Sequence, residues 1–346
     1  MSIAIETMMR AAVYRSDRGL SLEEVPRPVP APHEALIRVA ACGLCHTDLH
    51  YLDHGVATAR KPPIILGHEC SGRVEQVGAA VEGVAAGDRV LIPAVLPCGT
   101  CEMCRLGREN ICNSMAMLGN HIDGGFAEWI AVNARHLLKL PEEIPLEEGA
   151  IIADALTTPY HAVVRRARVA PGERVVVIGC GGVGLGLVQF ARAAGGRVLA
   201  IDLVDSKLEL ARQLGAEAAL NGREGNLGKA VRKALGGAPE VVFEAIGHGP
   251  TLQQALSLVA GGGRVVVVGY CSHDVELSPG RIMFRELDVL GSLGCRPVDY
   301  PRVIELVRSG VIRLAPMVSH RFPLQDISRG LDALRKGELV RGIVVP

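Results

Sequence analysis

The sequence of 346 residues predicts an α/β protein with two domains, one rich in β-strands and one built on a doubly wound parallel sheet. The first observation is a change of pattern near residue 150, from short β-rich runs to apolar strands that alternate with helices. The second is a glycine-rich turn at residues 179–184, between a strand and a helix. The third is a cluster of four cysteines within residues 98–112. A chain of this length is long enough for two domains of ordinary size.

The region before residue 150 predicts a small, barrel-like antiparallel domain. It contains four short runs typical of strands, EALIRVAAC, SGRVEQVG, DRVLIPAV and FAEWIAV. Glycine and proline separate these runs and mark turns and loops. We therefore expect long functional loops between short strands.

The region after residue 150 predicts a parallel sheet that is covered on both faces. Its apolar strands, ERVVVIG, RVLAID, EVVFEAIG and GRVVVVGY, alternate with helical stretches such as SKLELARQLGA. Continuous β-branched strands alternating with helices are typical of such a sheet. The last segment, from residue 300 onward, holds two amphipathic helices and a closing strand. We expect this segment to return, at least in part, to the first domain.

The four clustered cysteines are Cys98, Cys101, Cys104 and Cys112, with the spacing Cys-x2-Cys-x2-Cys-x7-Cys. Thiolates this close in sequence can surround one tetrahedral Zn²⁺, with Zn–S bonds of about 2.3 Å. The alternatives are disulfides, which suit an oxidising compartment, and an iron–sulfur cluster. A cluster motif more often carries proline after its last cysteine, and here Asn113 follows. We therefore predict a structural zinc in a lobe at about residues 95–115.

The glycine-rich turn has the pattern of a dinucleotide-binding fingerprint. Gly179, Gly181 and Gly184 form a GxGxxG motif that follows the strand ERVVVI and opens a helix, with Gly182 and Val183 inside it. The first glycine permits a tight turn, the second lets the backbone approach a pyrophosphate, and the third allows close packing of helix and strand. The helix N-terminus then favours the anionic phosphates.

An acidic residue at the end of the second strand predicts the choice of coenzyme. Asp202 ends RVLAID, where a carboxylate accepts hydrogen bonds from the adenosine ribose of NAD. A carboxylate there repels the 2′-phosphate of NADP, and no arginine follows it directly. Lys207 is the nearest cation and could reach the ribose. We therefore predict NAD rather than NADP.

A second set of metal-ligand residues precedes the cysteine cluster. Cys45 lies in CHTDLH, and His68 lies in Gly-His-Glu. One cysteine and one histidine from two loops, beside a coenzyme site, suggest a second zinc. An open catalytic zinc takes three protein ligands and keeps a position for water or substrate.

These motifs together resemble the zinc-containing medium-chain alcohol dehydrogenases. GHECSGRVEQVGAAV is similar to the Gly-His-Glu signature of that family, CHTDLH to its catalytic-zinc loop, CGTCEMCRLGRENIC to its structural-zinc lobe and IGCGGVGLGLVQFARAAG to its coenzyme motif. The motifs run in family order over essentially the whole chain. The resemblance implies a GroES-like catalytic domain at residues 1–155 and 297–346, interrupted by a Rossmann NAD-binding domain at residues 156–296.

The resemblance also implies a ligand set for the catalytic zinc. Cys45 and His68 are ligands by similarity. Many relatives supply a third cysteine in a segment that matches IIADALTTPYHAV, which offers Asp154 instead, as in several secondary alcohol dehydrogenases of the family. Glu69 is implied as an alternate ligand or a nearby carboxylate, and Asp48 as the acid that orients a ligating imidazole.

The remaining implied roles concern the proton and the coenzyme. Thr47, the coenzyme ribose and His50 resemble the relay that takes the alcohol proton to water. His46 matches a cation beside the pyrophosphate, Thr158 a residue near the nicotinamide, and Arg341 a closing-strand arginine that contacts the coenzyme phosphates. Thr158, followed by proline, is also expected to be the N-cap of a helix.

The implied reaction is reversible hydride transfer between a small-molecule alcohol and NAD⁺, giving a ketone or aldehyde. Residues 94–96 are expected to line the pocket and none is aromatic, which favours a secondary or cyclic alcohol over ethanol. The alternative substrate is a cyclic hydroxyacyl-CoA thioester, because several stretches also resemble that branch. Its phosphates would need a basic patch, for which Arg60, Lys61 and Arg296 are candidates, unless they form only a solvated surface.

The overall composition argues against other partners and locations. The 37 basic and 37 acidic residues cancel, so no nucleic-acid or membrane-surface partner is expected. No apolar run approaches the length of a membrane span, and the N-terminus lacks the pattern of an export signal. Ten cysteines without export indicate reduced thiols in the cytoplasm. The resemblance further implies a homodimer or homotetramer. A zinc-free quinone or enoyl reductase and a coenzyme-binding redox sensor are the competing hypotheses.

Overall fold

The computed structural model describes residues 8–223 and 225–346, and its contacts divide the chain into two compact units. The first unit comprises the described residues up to Asp154, together with Arg296–Gly310 and Met317–Pro346. The second unit comprises Ala155–Cys295 and the short segment Val311–Pro316. The predicted limits of 1–155, 156–296 and 297–346 stay a prediction.

Eighteen strands occur in the described chain, and we number them in chain order. They are β1 (Met8–Arg15), β2 (Gly19–Pro26), β3 (Glu34–Gly43), β4 (Ile64–Ile65), β5 (Glu69–Val77), β6 (Arg89–Ile92), β7 (Val95–Leu96), β8 (Ala116–Met117), β9 (Trp129–Asn133), β10 (Leu138–Lys139), β11 (Arg174–Ile178), β12 (Arg197–Asp202), β13 (Ala218–Asn221), β14 (Val241–Glu244), β15 (Arg264–Val267), β16 (Asp288–Gly291), β17 (Val318–Pro323) and β18 (Arg341–Val345).

The α-helices of the described chain are numbered in the same way. They are α1 (His46–Asp53), α2 (Glu102–Arg105), α3 (Leu146–Gly149), α4 (Thr157–Tyr160), α5 (Gly182–Ala193), α6 (Asp205–Gln213), α7 (Leu227–Leu235), α8 (Gly249–Leu258), α9 (Pro279–Phe284), α10 (Tyr300–Arg308) and α11 (Ile327–Arg335). A π-helix at His161–Ala167 continues from α4, and short 3₁₀ turns lie at Glu109–Ile111, Ala134–His136, Ala150–Ala153, Pro297–Asp299 and Leu324–Asp326. None of the helices in residues 8–223 and 225–346 has the length and apolar character that spanning a bilayer requires.

The second unit contains a six-stranded, fully parallel sheet in the order β13-β12-β11-β14-β15-β16. Its central strands are buried and rich in β-branched residues, as expected for a sheet with helices on both faces. The order reverses direction between β11 and β14, and ligands bind beyond the carboxyl ends of strands at such a point. The predicted doubly wound sheet is therefore confirmed. Strands β13 and β16 were not predicted, because both are four residues long and neither is a continuous apolar run.

The first unit is mainly antiparallel, as predicted. Its largest sheet has the order β10-β6-β5-β3-β18-β17, with β9 also paired to β3, and β2-β1-β4 form a smaller sheet. The closing strand β18 pairs antiparallel with β3, so this part of the C-terminal segment completes the sheet of the N-terminal segment. Strand β17 was not predicted and pairs in parallel with β18 through the crossover helix α11.

The core of the first unit lies under the loops that carry the candidate ligands. Fully buried Ile37, Leu66 and Phe126 belong to one apolar cluster with Cys42 and Cys70. Burial of each large apolar side chain stabilises the unit by about 1.5–3 kcal/mol. The loops before α1 and β5 are therefore anchored to a rigid core.

Candidate metal and coenzyme sites

The four clustered cysteines converge on one point in the first unit. Neighbouring sulfur atoms lie 3.5 to 3.9 Å apart, with Cys98 Sγ to Cys104 Sγ at 3.9 Å and Cys101 Sγ to Cys104 Sγ at 3.5 Å. Four Zn–S bonds of about 2.3 Å in a tetrahedron place the sulfurs about 3.8 Å apart. All four cysteines are free thiols, so the disulfide alternative is not observed. The quartet therefore fits a tetrahedral metal ion.

Backbone N–H groups point at the sulfurs of this quartet. Thr100 N and Cys101 N donate to Cys98 Sγ at 3.4 and 3.3 Å, and Cys98 N donates to Cys112 Sγ at 3.3 Å. The bonds that Cys98 Sγ accepts, first that from Thr100 N, lower the pKa of Cys98 to about 5. Burial instead raises the pKa of Cys104 to about 12. The lobe thus stabilises part of the negative charge that a metal ion would need, and the ion itself would supply the rest.

Helix α1 holds the first ligand of the second group at its N-terminus. Cys45 is the N-cap residue, and its own N–H donates to Asp48 Oδ2 at 3.0 Å, as in a capping box. Leu44 N donates to the carbonyl of Gly342 in β18 at 2.9 Å, which ties this loop to the closing strand. The N-terminal end of a helix favours a negative charge, so this position stabilises a Cys45 thiolate.

The turn before His68 requires a glycine. Gly67 has φ +91°, and a Cβ atom there would lie 2.7 Å from Cys42 Sγ and 2.8 Å from the ring of Phe126. Only glycine combines this left-handed backbone with such close packing. The turn then delivers His68 and Glu69, both buried, at the start of β5.

Cys45, His68, Glu69 and Asp154 form a compact group in the first unit. Each offers one ligand atom, and these atoms all lie within 4.8 Å of one another. His68 Nε2 is 3.9 Å from Asp154 Oδ2, and within the described residues it has no hydrogen-bond partner although it is buried. An orphaned imidazole nitrogen between a thiol and a carboxylate fits a zinc ligand. The residues present therefore fit the catalytic zinc that the sequence predicts.

Charges inside this group shift its pKa values strongly. Burial acts to raise the pKa of the Cys45 thiol, but the positive charges of Arg341 and His68 outweigh burial and lower it. Burial acts to lower the pKa of His68, yet contact with Cys45 and the charges of Asp48 and Asp154 raise it well above its ordinary value. The negative charges that hold a proton on His68 would equally stabilise a divalent cation.

Glu69 and Arg341 form a buried ion pair beside the group. Arg341 Nη1 lies 3.2 Å from Glu69 Oε1 and donates to the carbonyl of Leu44 at 2.8 Å. Burial raises the pKa of Glu69 well above its usual range despite the arginine. A Cβ atom on Gly43 would lie 2.1 Å from Glu69 Oε2, so the glycine leaves room for this carboxylate. Arg341 therefore closes the site from β18, and its predicted contact with the coenzyme phosphates stays a prediction.

Two further residues lie beside the ligands or the backbone that presents them. Asp48 Oδ1 lies 3.8 Å from His68 Nδ1, on the side of the ring opposite Nε2 but beyond hydrogen-bond distance, so its role in orienting the imidazole stays a prediction. The Tyr300 hydroxyl on α10 is buried and donates to the carbonyl of Ala153 at 2.9 Å. Ala153 directly precedes Asp154, so this bond fixes the backbone that presents the carboxylate. Tyr300 was not predicted as part of the site, because it lies 147 residues from Ala153 in sequence and no local motif links the two.

The proposed proton-relay residues lie along α1. Thr47 is half-buried, with its Oγ1 3.7 Å from Cys45 Sγ. His50 is also half-buried, and its Nδ1 is 2.9 Å from Nδ1 of His54. Burial and the charge of His54 lower the pKa of His50. His46 is exposed at the first residue of the helix.

The predicted coenzyme turn has the conformation that its glycines allow. Gly179 has φ +97°, and Gly181 is the N-cap of α5 with open space where a Cβ would be, as a bound pyrophosphate would require. A Cβ on Gly184 would lie 1.7 Å from the carbonyl oxygen of Gly179. The third glycine is therefore needed by the turn itself as much as by packing between helix and strand.

Asp202 is held rigidly at the end of β12. Its Oδ2 accepts from Cys180 N at 2.7 Å, and its Oδ1 accepts from Leu203 N at 2.8 Å and Val204 N at 3.0 Å. The carboxylate therefore cannot swing aside without losing three hydrogen bonds. Lys207 is the third residue of α6, close enough that its charge acts on the Cys180 thiol.

The predicted helix cap at Thr158 is wrong. Helix α4 begins one residue earlier, at Thr157, and its N-cap is Leu156 without a side-chain hydrogen bond. The preceding 3₁₀ turn runs almost directly into α4, so no polar cap is needed. Thr158 remains buried in the second unit, where its contact with the nicotinamide stays a prediction.

Two stretches of the chain match known protein families. Residues 31–142 match the alcohol dehydrogenase GroES-like domain, and residues 182–309 match zinc-binding dehydrogenase. The first match covers Cys45, His68 and the cysteine quartet, and the second begins inside the glycine-rich turn. The predicted fold class is therefore confirmed in both of its parts.

The chain is similar to characterised dehydrogenases over nearly its whole length. L-threonine 3-dehydrogenase of Bacillus licheniformis is 34% identical over 345 residues, covering 98% of this chain and 99% of the relative. An alcohol dehydrogenase of Geobacillus stearothermophilus is 32% identical over 339 residues, covering 98% and 99%. A zinc-binding dehydrogenase from Sinorhizobium meliloti 1021, solved with NADP, superimposes with a TM-score of 0.90 at 33% identity, covering 98% and 99%. The chain therefore belongs to the zinc-containing medium-chain alcohol dehydrogenase family, and it is an NAD(P)-dependent alcohol dehydrogenase.

Proposed function

We propose that this enzyme oxidises a secondary or cyclic alcohol to a ketone with NAD⁺, reversibly, and holds two zinc ions per chain. The observation that carries the proposal is the buried group of Cys45, His68 and Asp154, whose ligand atoms converge next to the Thr47 hydroxyl. The cysteine quartet would hold the second, structural zinc. When bound, the catalytic zinc supplies Lewis acidity to the substrate oxygen and NAD⁺ accepts the hydride.

The residues of the chain prepare this chemistry in three ways. Cys45 and Asp154 provide negative charge, and His68, with Asp48 on the far side of its ring, would provide a neutral nitrogen, so three protein ligands would leave one position open. The Thr47 hydroxyl accepts the proton of the alcohol and releases its own proton in the direction of His50. His50 then takes up a proton at its ring and releases one toward water. Its lowered pKa keeps it an acceptor near neutral pH.

The preference for NAD rests on Asp202. Three backbone N–H groups fix its carboxylate where the adenosine ribose is expected, so a 2′-phosphate would meet an immobile negative charge. The Sinorhizobium relative was solved with NADP, so coenzyme preference must be measured on this enzyme. NAD⁺ and NADP⁺ compared at equal concentration provide that test.

The choice of a secondary or cyclic alcohol rests on the residues near the expected pocket. Ala94, Val95 and Leu96 are small or aliphatic, and an aromatic residue there would leave less room beside the reacting carbon. The threonine 3-dehydrogenase relative acts, by its name, at a secondary alcohol carbon. A CoA thioester is less well supported, because Arg60 pairs with Asp123 and Arg296 pairs with Asp299. Of the three candidate phosphate-binding cations, two already have carboxylate partners.

We further propose a homo-oligomer in the cytoplasm. Strand β16 is an edge of its sheet, and Met283, Phe284 and Leu293, which flank it in sequence, are 71%, 86% and 54% exposed. An edge strand with exposed apolar side chains suits pairing with a second copy. All ten cysteines are free thiols, which suits a reducing compartment. Light scattering on wild type and Phe284→Glu tests the oligomer, which should dissociate in the variant.

A panel of primary, secondary and cyclic alcohols, assayed with NAD⁺, tests the substrate class. Zinc content per chain, measured on wild type, Asp154→Ala and Cys101→Ala, tests the two metal sites. We expect Asp154→Ala to stay folded and to lose activity and catalytic zinc. Full zinc and full activity in Asp154→Ala would refute the ligand assignment, and equal activity on all alcohols would refute the substrate proposal.

A further inference from the structure

We propose that His54 extends the proton path beyond His50, so that the proton reaches water through a pair of histidines rather than through His50 alone. This inference rests on the proposed function, because it assumes that the alcohol proton arrives at His50. The motif CHTDLH ends at His50, and no resemblance assigns a role to His54.

Three polar residues of the path share one face of a single helix. Thr47, His50 and His54 have the spacing i, i+3 and i+7, which stacks side chains in a stripe along a helix. Exposure rises along this stripe, because Thr47 and His50 are half-buried and His54 is exposed at the C-cap of α1. The stripe therefore leads from the side of the Cys45 thiol to the surface.

The contact between the two imidazoles is a hydrogen bond. Nδ1 of His50 lies 2.9 Å from Nδ1 of His54, and the ring centroids are 5.1 Å apart. Two Nδ1 atoms at this distance must share one proton, so one ring is the donor and the other the acceptor. The pair is thus joined through the atoms that can exchange a proton.

The transfer balances without any further reactant. At the start, His50 carries its proton on Nδ1 and donates it to Nδ1 of His54, which carries a proton on Nε2. A proton then arrives at Nε2 of His50, and the shared proton crosses to Nδ1 of His54. His54 releases its Nε2 proton to water, and both rings end neutral. The reverse sequence delivers a proton inward during reduction of a carbonyl and restores the first tautomers. During repeated oxidation, exchange with water restores them: His50 loses its Nε2 proton and regains one on Nδ1, while His54 loses its Nδ1 proton and regains one on Nε2.

The charges around the pair do not block this transfer. Asp53 and Arg335 of α11 neutralise each other through bonds of 2.7 and 3.0 Å, and Arg335 also bonds Asp332 at 2.7 Å. A cation on His54 disfavours one on His50, so the proton moves outward.

The test compares His54→Gln, His50→Gln and the double variant, with His33→Gln as the control for an exposed histidine elsewhere in the first unit. Glutamine keeps a hydrogen bond to His50 but cannot carry a proton. Single-turnover hydride transfer is followed from pH 6 to 9 in dilute buffer, with NAD⁺ and the secondary alcohol that the wild type oxidises fastest. A second readout is the pKa of His50 by ¹⁵N NMR of histidine-labelled enzyme.

We expect His54→Gln to slow hydride transfer about threefold to tenfold near pH 7, a fraction of the value of a complete general base. Added imidazole buffer should restore the rate, the pKa of His50 should rise, and the double variant should be no slower than His50→Gln. A defect in His50→Gln together with wild-type rates and pH profile in His54→Gln would overturn the role of His54 alone. Wild-type behaviour of both variants would overturn the His50 relay itself.

Discussion

Replacing Tyr300 with phenylalanine should weaken zinc binding at the Cys45–His68–Asp154 group while leaving the chain folded. The change removes only the hydroxyl that donates to the carbonyl of Ala153 at 2.9 Å. The ring stays in its buried position, so no cavity larger than one oxygen atom results. The loss therefore falls on the backbone that presents Asp154.

The expected magnitude follows from one buried hydrogen bond. Its loss should lower the free energy of unfolding by about 1 kcal/mol, and the midpoint of thermal unfolding by about 2–4 °C. Groups that hold a metal ligand in place are typically worth roughly 10- to 100-fold in metal affinity. Tyr300 acts through the backbone rather than on the carboxylate itself, so we expect the lower end, about tenfold.

Competition with a zinc chelator measures this affinity, and the absorption spectrum of the Co²⁺-substituted enzyme reports the ligand geometry. The cysteine quartet is the internal reference, because its ligands lie at residues 98–112, away in sequence from the segment that Tyr300 holds, and a zinc there should bind as in the wild type. Tyr160→Phe, which alters a buried tyrosine of the second unit, is the matched control. Unchanged zinc affinity and an unchanged cobalt spectrum in Tyr300→Phe would refute the argument that Tyr300 positions Asp154.

Three other outcomes are expected. Cys101→Ala should lose the structural zinc and unfold at lower urea concentration, because structural metal binding contributes folding free energy; normal stability would contradict this. Asp202→Gly should raise the NADP-to-NAD efficiency ratio roughly 10- to 100-fold, as charge-assisted bonds and repulsion are both lost; kinetics with both coenzymes decide it. Burial and the charge of Arg135 lower the pKa of His136 to about 4. The unfolded chain therefore binds this proton first, and stability should fall as the pH drops below about 6.5. His136→Gln should show a smaller fall between pH 7 and 5 in urea titrations.

The fold was largely predictable because its strongest signals are local. Continuous apolar strands such as β11 and β14 alternate with helices, and this rhythm indicates a parallel sheet without knowledge of any contact. Strands β13 and β16 escaped because short strands of mixed polarity resemble loops. Strand β17 was not predicted, because it pairs with β18, and helix α11 separates the two strands in the sequence.

The candidate site also contains residues that local sequence signals predict and residues that only the fold brings together. The cysteine quartet and the glycine turn lie within short segments, so spacing alone identified them. Asp154 came only from the resemblance, because a single aspartate has no local signature. The pairing of Arg341 with Glu69 joins residues far apart in sequence and needed the fold. His54 does have a local signal, because it follows His50 by four residues, which is about one turn of a helix.

The pairing of β18 with β3 has a consequence for the order in which the two proposed zinc sites are completed during synthesis. The quartet is complete once Cys112 has emerged from the ribosome. The loop of Cys45 is closed only after Arg341 has been synthesised and can donate to the carbonyl of Leu44. At 5–20 residues per second, the interval from Asp154 to Arg341 takes roughly 10–40 s. For that time the Cys45 thiol lacks both the ion pair beside it and the strand that holds its loop. The cysteine quartet is therefore complete on the nascent chain before the Cys45–His68–Asp154 group, and of the two proposed zinc sites the catalytic one is closed last.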